Sequence, residues 1–136
     1  MSVNDRTGLE ELDEQQCWEL ASQRSIGRLA VSVGNKPDVF PVNYVVHEGT
    51  IIVKTSAGLK LAAATIGPGV AFEVDALDEQ THTGWSVVFR GVATEIEALD
   101  DIIEAESLGI QTWADSDKRR FLRITPSVIT GRRIPT

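Results

Sequence analysis

Apolar positions along this chain fall mainly into runs of period two, broken by stretches of helical spacing. RLAVSV (28–33) sets Leu29, Val31 and Val33 against Ala30 and Ser32, the alternation of a half-buried strand. GNKP turns the chain into a second strand, DVFPVNYVV, in which Pro41 has no N–H to give. That position therefore predicts an edge, a bulge or a place where the sheet opens. HEG leads to a third strand, TIIVKT, and GPG separates a later fourth, VAFEVDA. After the polar loop LDEQTHTG comes a long fifth strand, WSVVFRGVATEIE, whose interior Gly91 predicts a bulge or a close backbone approach. RRFLRITPSVITGRRI supplies one or two final short strands.

Helical spacing appears first in LDEQQCWELASQ, where Asp13 stands three residues before Gln16 in a capping-box pattern. A helix from about Asp13 to Gln23 follows, with Cys17 at a half-buried position. An alanine-rich helix behind Lys60 and a helix over ALDDIIEAESLG, ended by Gly109, complete the set. Strands joined by hairpin turns, with few helices between them, predict a mainly β fold: an antiparallel barrel or sandwich with helices over its openings. A doubly wound parallel sheet would need a helix between nearly every pair of strands.

Composition narrows the function classes. At 136 residues and 42% apolar composition, the chain suits a single domain over residues 1–136. Its 13 basic and 20 acidic residues give a formal charge of −7, which repels nucleic acid at long range. No apolar run is long enough to span a bilayer and the N-terminus is acidic and polar, so the expected location is the cytoplasm. Cys17 is the only cysteine, which excludes an intrachain disulfide. With His47 and His82 the only histidines, both in predicted turns, no metal site is expected. EVDALDE lacks calcium-loop spacing, and no nucleophile–base–acid set is marked, so no catalytic side chain is assigned.

The junction VKTSAGLKLAAATIG (53–67) is where the chemistry concentrates. Thr55 and Ser56 are N-cap types and Gly58 relaxes the backbone where a helix begins. Free amides at a helix start, a hydroxyl and the charge of Lys60 together suit an anion. The bland alternative is an ordinary cap beside a solvated lysine.

Read in order, GRLA, PVNY, TSAGLKL, FEVD, GWSVVFRG and TGRR resemble the pyridoxamine 5′-phosphate oxidase-like proteins of the flavin-binding split-barrel class, in particular the small actinobacterial type. The likeness spans nearly the whole chain. It implies a six-stranded antiparallel split β-barrel with flanking helices, a homodimer, and two FMN molecules in clefts between the subunits. Pro41, Val42, Asn43 and Tyr44 would then line the flavin ring, and Lys54, Thr55, Ser56 and Lys60 would hold its phosphate. Trp85 and Ser86 would close the cleft from the second subunit, Trp85 being equally an ordinary core or interface tryptophan. Arg132 is a further site residue near the chain end, whereas Arg90 is expected to pair with an acid. Trp18 and Trp113 read as packing residues.

True pyridoxamine 5′-phosphate oxidases carry a C-terminal motif of arginine and histidine that grips the substrate phosphate. Here the sequence ends at GRRIPT with no histidine after His82, so vitamin oxidation is not expected. The implied function is a flavin-dependent oxidoreductase acting on an unnamed small molecule. The alternatives are a reductase using a deazaflavin coenzyme and a non-catalytic flavin carrier or sensor.

Overall fold

The computed structural model describes residues 2–3, 8–55, 69–111 and 120–135. These form eight strands: β1 (Ser2–Val3), β2 (Glu10–Leu12), β3 (Ile26–Val33), β4 (Lys36–His47), β5 (Thr50–Thr55), β6 (Val70–Asp78), β7 (Thr83–Glu95) and β8 (Arg120–Ile134). Two helices, α1 (Glu14–Ala21) and α2 (Leu99–Ser107), lie among the described residues. All pairings are antiparallel, in the order β1-β2-β8-β5-β4-β3-β6-β7, and β7 returns to pair with β8. That last pairing closes six strands into a barrel, the mainly β architecture expected. The predicted alanine-rich helix falls outside the described residues.

Closure rests on the two longest strands. β8 pairs with β5 over Arg120–Ile124 and with β2 over Gly131–Arg133, while β7 follows it along nearly its whole length. Between those two stretches lies Pro126, beyond the last β5 pair, so its missing N–H denies β5 no ladder bond. Opposite it the register shifts between Arg90 and Gly91. A Cβ on Gly91 would lie 2.1 Å from the Thr125 carbonyl oxygen and 2.7 Å from the Pro126 Cα. Gly91 therefore makes the close backbone approach that its place in the strand predicted, while the extra residue of the bulge, Ser127, belongs to the facing strand β8. Pro126 bends a continuous strand rather than dividing it, so the C-terminal segment is one 15-residue strand and not two short ones.

Inside the barrel Phe72, Phe89, Leu29, Ile51, Ile124, Val53, Val74 and Val87 lose all contact with solvent. α1 closes one end. Asp13 caps it through the Gln16 amide at 2.8 Å, and the Gln16 side chain accepts from the Asp13 amide at 2.9 Å, the reciprocal box the sequence predicted. Trp18 packs against Phe89 with ring centroids 4.6 Å apart and the planes tilted by 42°. Cys17 is wholly buried rather than half-buried, because a Cβ on Gly131 would come within 2.6 Å of its sulfur: the helix sits directly on β8. Burial, and then the charges of Asp13 and Glu14, push its thiol pKa up, so it behaves as an apolar core group.

The C-terminal end of α1 is tied down by a core residue. The buried Tyr44 hydroxyl donates to the Ala21 carbonyl at 2.5 Å, and the Arg24 amide reaches the same oxygen at 3.3 Å. A last-turn carbonyl with no helical partner is thereby satisfied. Tyr44 also meets Phe72 edge-on at 4.9 Å.

A second, smaller cluster forms on the outer surface, where Ile52, Ile96, Ala105, Ile110 and Phe121 place α2 over β4 and β5. His47 at the end of β4 joins it through Glu104 of α2, Nε2 to Oε1 2.7 Å, with Glu48 Oε2 at 3.8 Å. Arg90 meets a hydroxyl, Thr130 Oγ1 at 3.4 Å, and not the acid expected, since its neighbours across β8 are uncharged. Among the described residues no helix is long and apolar enough to cross a membrane.

Replacing Gly91 by Ala should destabilise the fold by about 2–4 kcal/mol, because the clash is with backbone on the facing strand and the strands must part. A lowered urea midpoint with little change in slope would register it. Tyr44→Phe leaves the Ala21 carbonyl without its phenolic donor, and a loss of about 1–2 kcal/mol is expected in the same measurement.

Candidate functional site

Strand alternation divides the residues of β4 between two sides. Val42 and Tyr44 point into the core, whereas Pro41 and Asn43 face outward. Of the four residues proposed to line a ring, Val42 and Tyr44 therefore offer that outer face only their backbone. Along Lys36–Val42, β4 pairs with β3 alone among the described strands, and its ladder with β5 begins only at Asn43. The sheet opens beside Pro41, as its missing donor predicted.

Asn43 is paired directly with Lys54 of β5, so a polar pair stands next to that opening. Lys54 is held there: its Nζ donates to the Ile110 carbonyl at 3.3 Å and lies 5.6 Å from the centre of the Phe121 ring. The cation thus sits at the inner edge of the segment that follows α2. Thr55 ends β5 opposite Arg120. The Thr55 side chain, Ser56 and Lys60 lie outside the described residues.

A cavity of about 320 Å³ opens beside this pair. Its walls are Arg24 and Ser25 on one side, Tyr44 and Val45 beneath, and Leu108 to Gln111 on the other. The Tyr44 amide donates to the Ser25 carbonyl at 3.1 Å, which fixes the α1–β3 turn against β4. Burial raises the Tyr44 phenol well above its usual pKa, while the nearby Arg24 charge opposes that rise. Tyr44 is consequently a neutral hydrogen-bond donor that anchors one wall of the cavity. Arg24, Ser25 and the Leu108–Gln111 segment were not picked out from the sequence. A polar turn joining a helix to a strand is their only local signal.

The remaining predicted residues lie elsewhere on the barrel. Trp85 is half-buried against the main core. Ser86 stands between Asp75 and Arg132 in register, and Arg132 is exposed. Three inter-strand steps, β4 to β3 to β6 to β7, separate Asn43 from Ser86. At ~4.8 Å per step that is roughly 14 Å around a curved wall, too far for both to touch one ring from a single chain.

Between these two regions, on the same outer surface, Arg28 Nη1 bonds Glu73 Oε1 at 3.3 Å and Asp75 Oδ2 at 3.1 Å. One guanidinium serves two carboxylates. Partial burial, and then the hydrogen bond and charge of Asp75, raise Glu73 to about 7 against the opposing pull of Arg28. The adjacent row of the ladder is apolar apart from one residue: Val39, Ala30, Ala71, Arg90 and Val128 lie side by side across five strands. Val39 is 61% and Val128 51% exposed.

Residues 13–133 match the model of the family described as pyridoxamine 5′-phosphate oxidase. The chain is 32% identical over 129 residues to the uncharacterized protein Rv0080 of Mycobacterium tuberculosis, covering 91% of this chain and 84% of that one. Its structure superposes on a Corynebacterium glutamicum protein provisionally named pyridoxamine 5′-phosphate oxidase, with TM-score 0.85, 34% identity, and 94% and 99% of the two chains covered. It also superposes on an FAD binding protein of Mycobacterium smegmatis, with TM-score 0.78, 36% identity, and 93% and 100% covered. The order of motifs, the closed antiparallel barrel and these matches along most of the chain agree: it belongs to the pyridoxamine 5′-phosphate oxidase family.

Proposed function

We propose that the protein binds a flavin, FMN in the first instance, as a homodimeric cytoplasmic oxidoreductase acting on a small-molecule substrate. The observation that carries this reading is the cavity walled by Arg24, Tyr44, Val45 and the Leu108–Gln111 segment, which lies next along β4 to the Pro41–Val42 stretch where that strand has no β5 partner. The Mycobacterium smegmatis relative, an FAD binding protein 36% identical over 93% of this chain, supports a flavin as occupant.

The residues present suit such a group. Backbone at Pro41–Tyr44 would border the ring, and Lys54 supplies charge behind the Ile110 wall of the cavity. Thr55, Ser56 and Lys60 would take the phosphate, since a dianion is costly to bury unless donors and a cation meet it. Flavin supplies hydride and electron transfer at N5, and this chain's task is to orient it and keep water away. No side chain need act as acid or base. The deazaflavin coenzyme and the non-catalytic carrier remain the alternatives; mass spectrometry of the released ligand separates the first from FMN, and stopped-flow reduction with nicotinamide or deazaflavin donors separates an oxidoreductase from a carrier, which shows no saturable donor dependence.

The separation between Asn43 and Ser86 supports a dimer, since Ser86 and Arg132 reach the same ligand only from a second copy. The row of Val39, Ala30, Ala71 and Val128 suits that role, as exposed valines beside alanines let another sheet approach closely. A second copy seated there would also cover Glu73 and Asp75.

Titration of the purified protein with FMN and riboflavin, followed by flavin fluorescence, tests the reading. FMN should bind more tightly than riboflavin, and Lys60→Ala should weaken FMN about ten- to a hundredfold while leaving riboflavin nearly unchanged. A protein that binds neither flavin overturns it.

Glu73 carries a pH dependence of defined sign. Its folded pKa of about 7 lies above the ordinary 4.5, so the fold favours the neutral carboxyl. That contribution is complete below 4.5 and is lost as pH rises through 7. Denaturation midpoints should therefore fall between pH 5 and about pH 8, by less than about 1 kcal/mol after solvent screening. Glu73→Gln should flatten that portion of the profile.

A further inference from the structure

Arg24 borders two cavities at once. Beyond the one beside Lys54, it lines a second of about 360 Å³ together with Asp75, Leu77, Asp78 and Gly84. Three other arginines of the described surface are neutralised, Arg28 by Glu73 and Asp75, Arg120 by Glu95 at 3.5 Å and Arg133 by Glu10 at 3.0 Å, whereas Arg90 meets a hydroxyl. Among the described residues the Arg24 guanidinium meets no carboxylate. The two acids that share its second cavity are committed elsewhere. Asp75 Oδ2 accepts from Arg28 at 3.1 Å, and Asp78 Oδ1 accepts from the Gln80 and Thr81 amides at 2.8 and 3.1 Å.

The base of this side chain is fixed on both sides. Its own amide donates to Ala21, whose carbonyl also receives the buried Tyr44 hydroxyl, and the next carbonyl, that of Ser25, accepts from the Tyr44 amide. Here a rigid turn holds the cation at a cavity mouth whose nearby carboxylates are already paired. The planar guanidinium fork matches a phosphate or carboxylate through two parallel hydrogen bonds.

We infer that Arg24 is an anion-binding residue of the cleft, receiving a phosphate or carboxylate group of the ligand that enters it. The inference deepens the flavin reading and rests on the cleft being the ligand site. Two sources share this chemistry: the second phosphate of a dinucleotide flavin, and the anionic group of a second substrate bound beside a mononucleotide flavin.

Affinities for riboflavin, FMN, FAD and inorganic phosphate, measured on the full chain and on its Arg24→Gln variant, decide among these. Inorganic phosphate is titrated both without flavin and after FMN loading. The variant should melt where the parent does, since the guanidinium meets no carboxylate among the described residues. If the cofactor supplies the anion, FAD binds the parent protein more tightly than FMN and Arg24→Gln removes that margin, by about tenfold or more. If a second substrate supplies it, both flavins bind parent and variant alike, and inorganic phosphate binds the FMN-loaded parent at least tenfold more tightly than the variant. Arg24→Gln with unchanged affinity for all four probes overturns the inference, whatever flavin the protein takes. A parent that binds phosphate through Arg24 but no flavin overturns the flavin reading and leaves the inference standing.

Discussion

Everything on the outer surface depends on two long strands being able to change partners without breaking. β8 must pair with β5 at its start and with β2 near its end, and β7 must follow it throughout. The irregularity falls beside Pro126, where β8 lacks a donor and carries an extra residue, Ser127, and β7 accommodates the close approach at a position that has no side chain, Gly91. A strand of 15 residues kept straight would leave the far side of a six-stranded barrel unreachable. The bulge converts that length into curvature, and the closed wall that results sets the spacing between β4 and β7. That spacing in turn keeps Asn43 and Ser86 apart within one chain.

At the other end of the barrel the controlling contact is the buried phenol of Tyr44. Its ring belongs to the core, packed edge-on against Phe72, while its hydroxyl takes the last carbonyl of α1. One side chain therefore couples three things: core packing, the termination of a helix, and the position of the turn that walls the candidate cleft. The turn is held by main-chain bonds on both sides of Arg24, so its side chain is presented from a rigid base. The opposite wall is held differently, by α2 packing on Ile52 and Phe121 and by Lys54 reaching the Ile110 carbonyl.

Much of the barrel was legible because strand alternation is a local signal. Leu29 and Val31 point inward as their alternation predicted, although Val33, the next residue of that face, is exposed where β3 runs into its turn. The capping box at Asp13 was legible for the same reason. What escaped was decided by tertiary partners. The short strands β1 and β2 have little pattern of their own: β2 pairs along the edge that β8 offers, and β1 pairs along β2. The inward turn of Val42 and Tyr44 follows from alternation, yet which face of β4 would be covered could not be known before β3 and β5 were placed beside it. The cavity was the least legible feature, since Arg24 and Gln111 are brought together by the fold across a long stretch of sequence.

Net charge and local charge act at different ranges here, and the difference decides what the protein attracts. The excess of acids gives a formal charge of −7, but at physiological salt a field of that kind is screened beyond roughly 8 Å. At contact distance only the arrangement of individual groups counts. Glu73 and Asp75 share a single guanidinium on the outer wall, which leaves that patch short of positive charge and raises the pKa of one carboxyl. Around the cleft the balance is reversed: Lys54 is held by a neutral carbonyl and a ring face, and Arg24 by no acid among the described residues. A neutral partner fixes a cation without cancelling it. A strongly acidic protein can thus keep a small region hospitable to anions, because the groups that position its cations there are dipoles and not carboxylates.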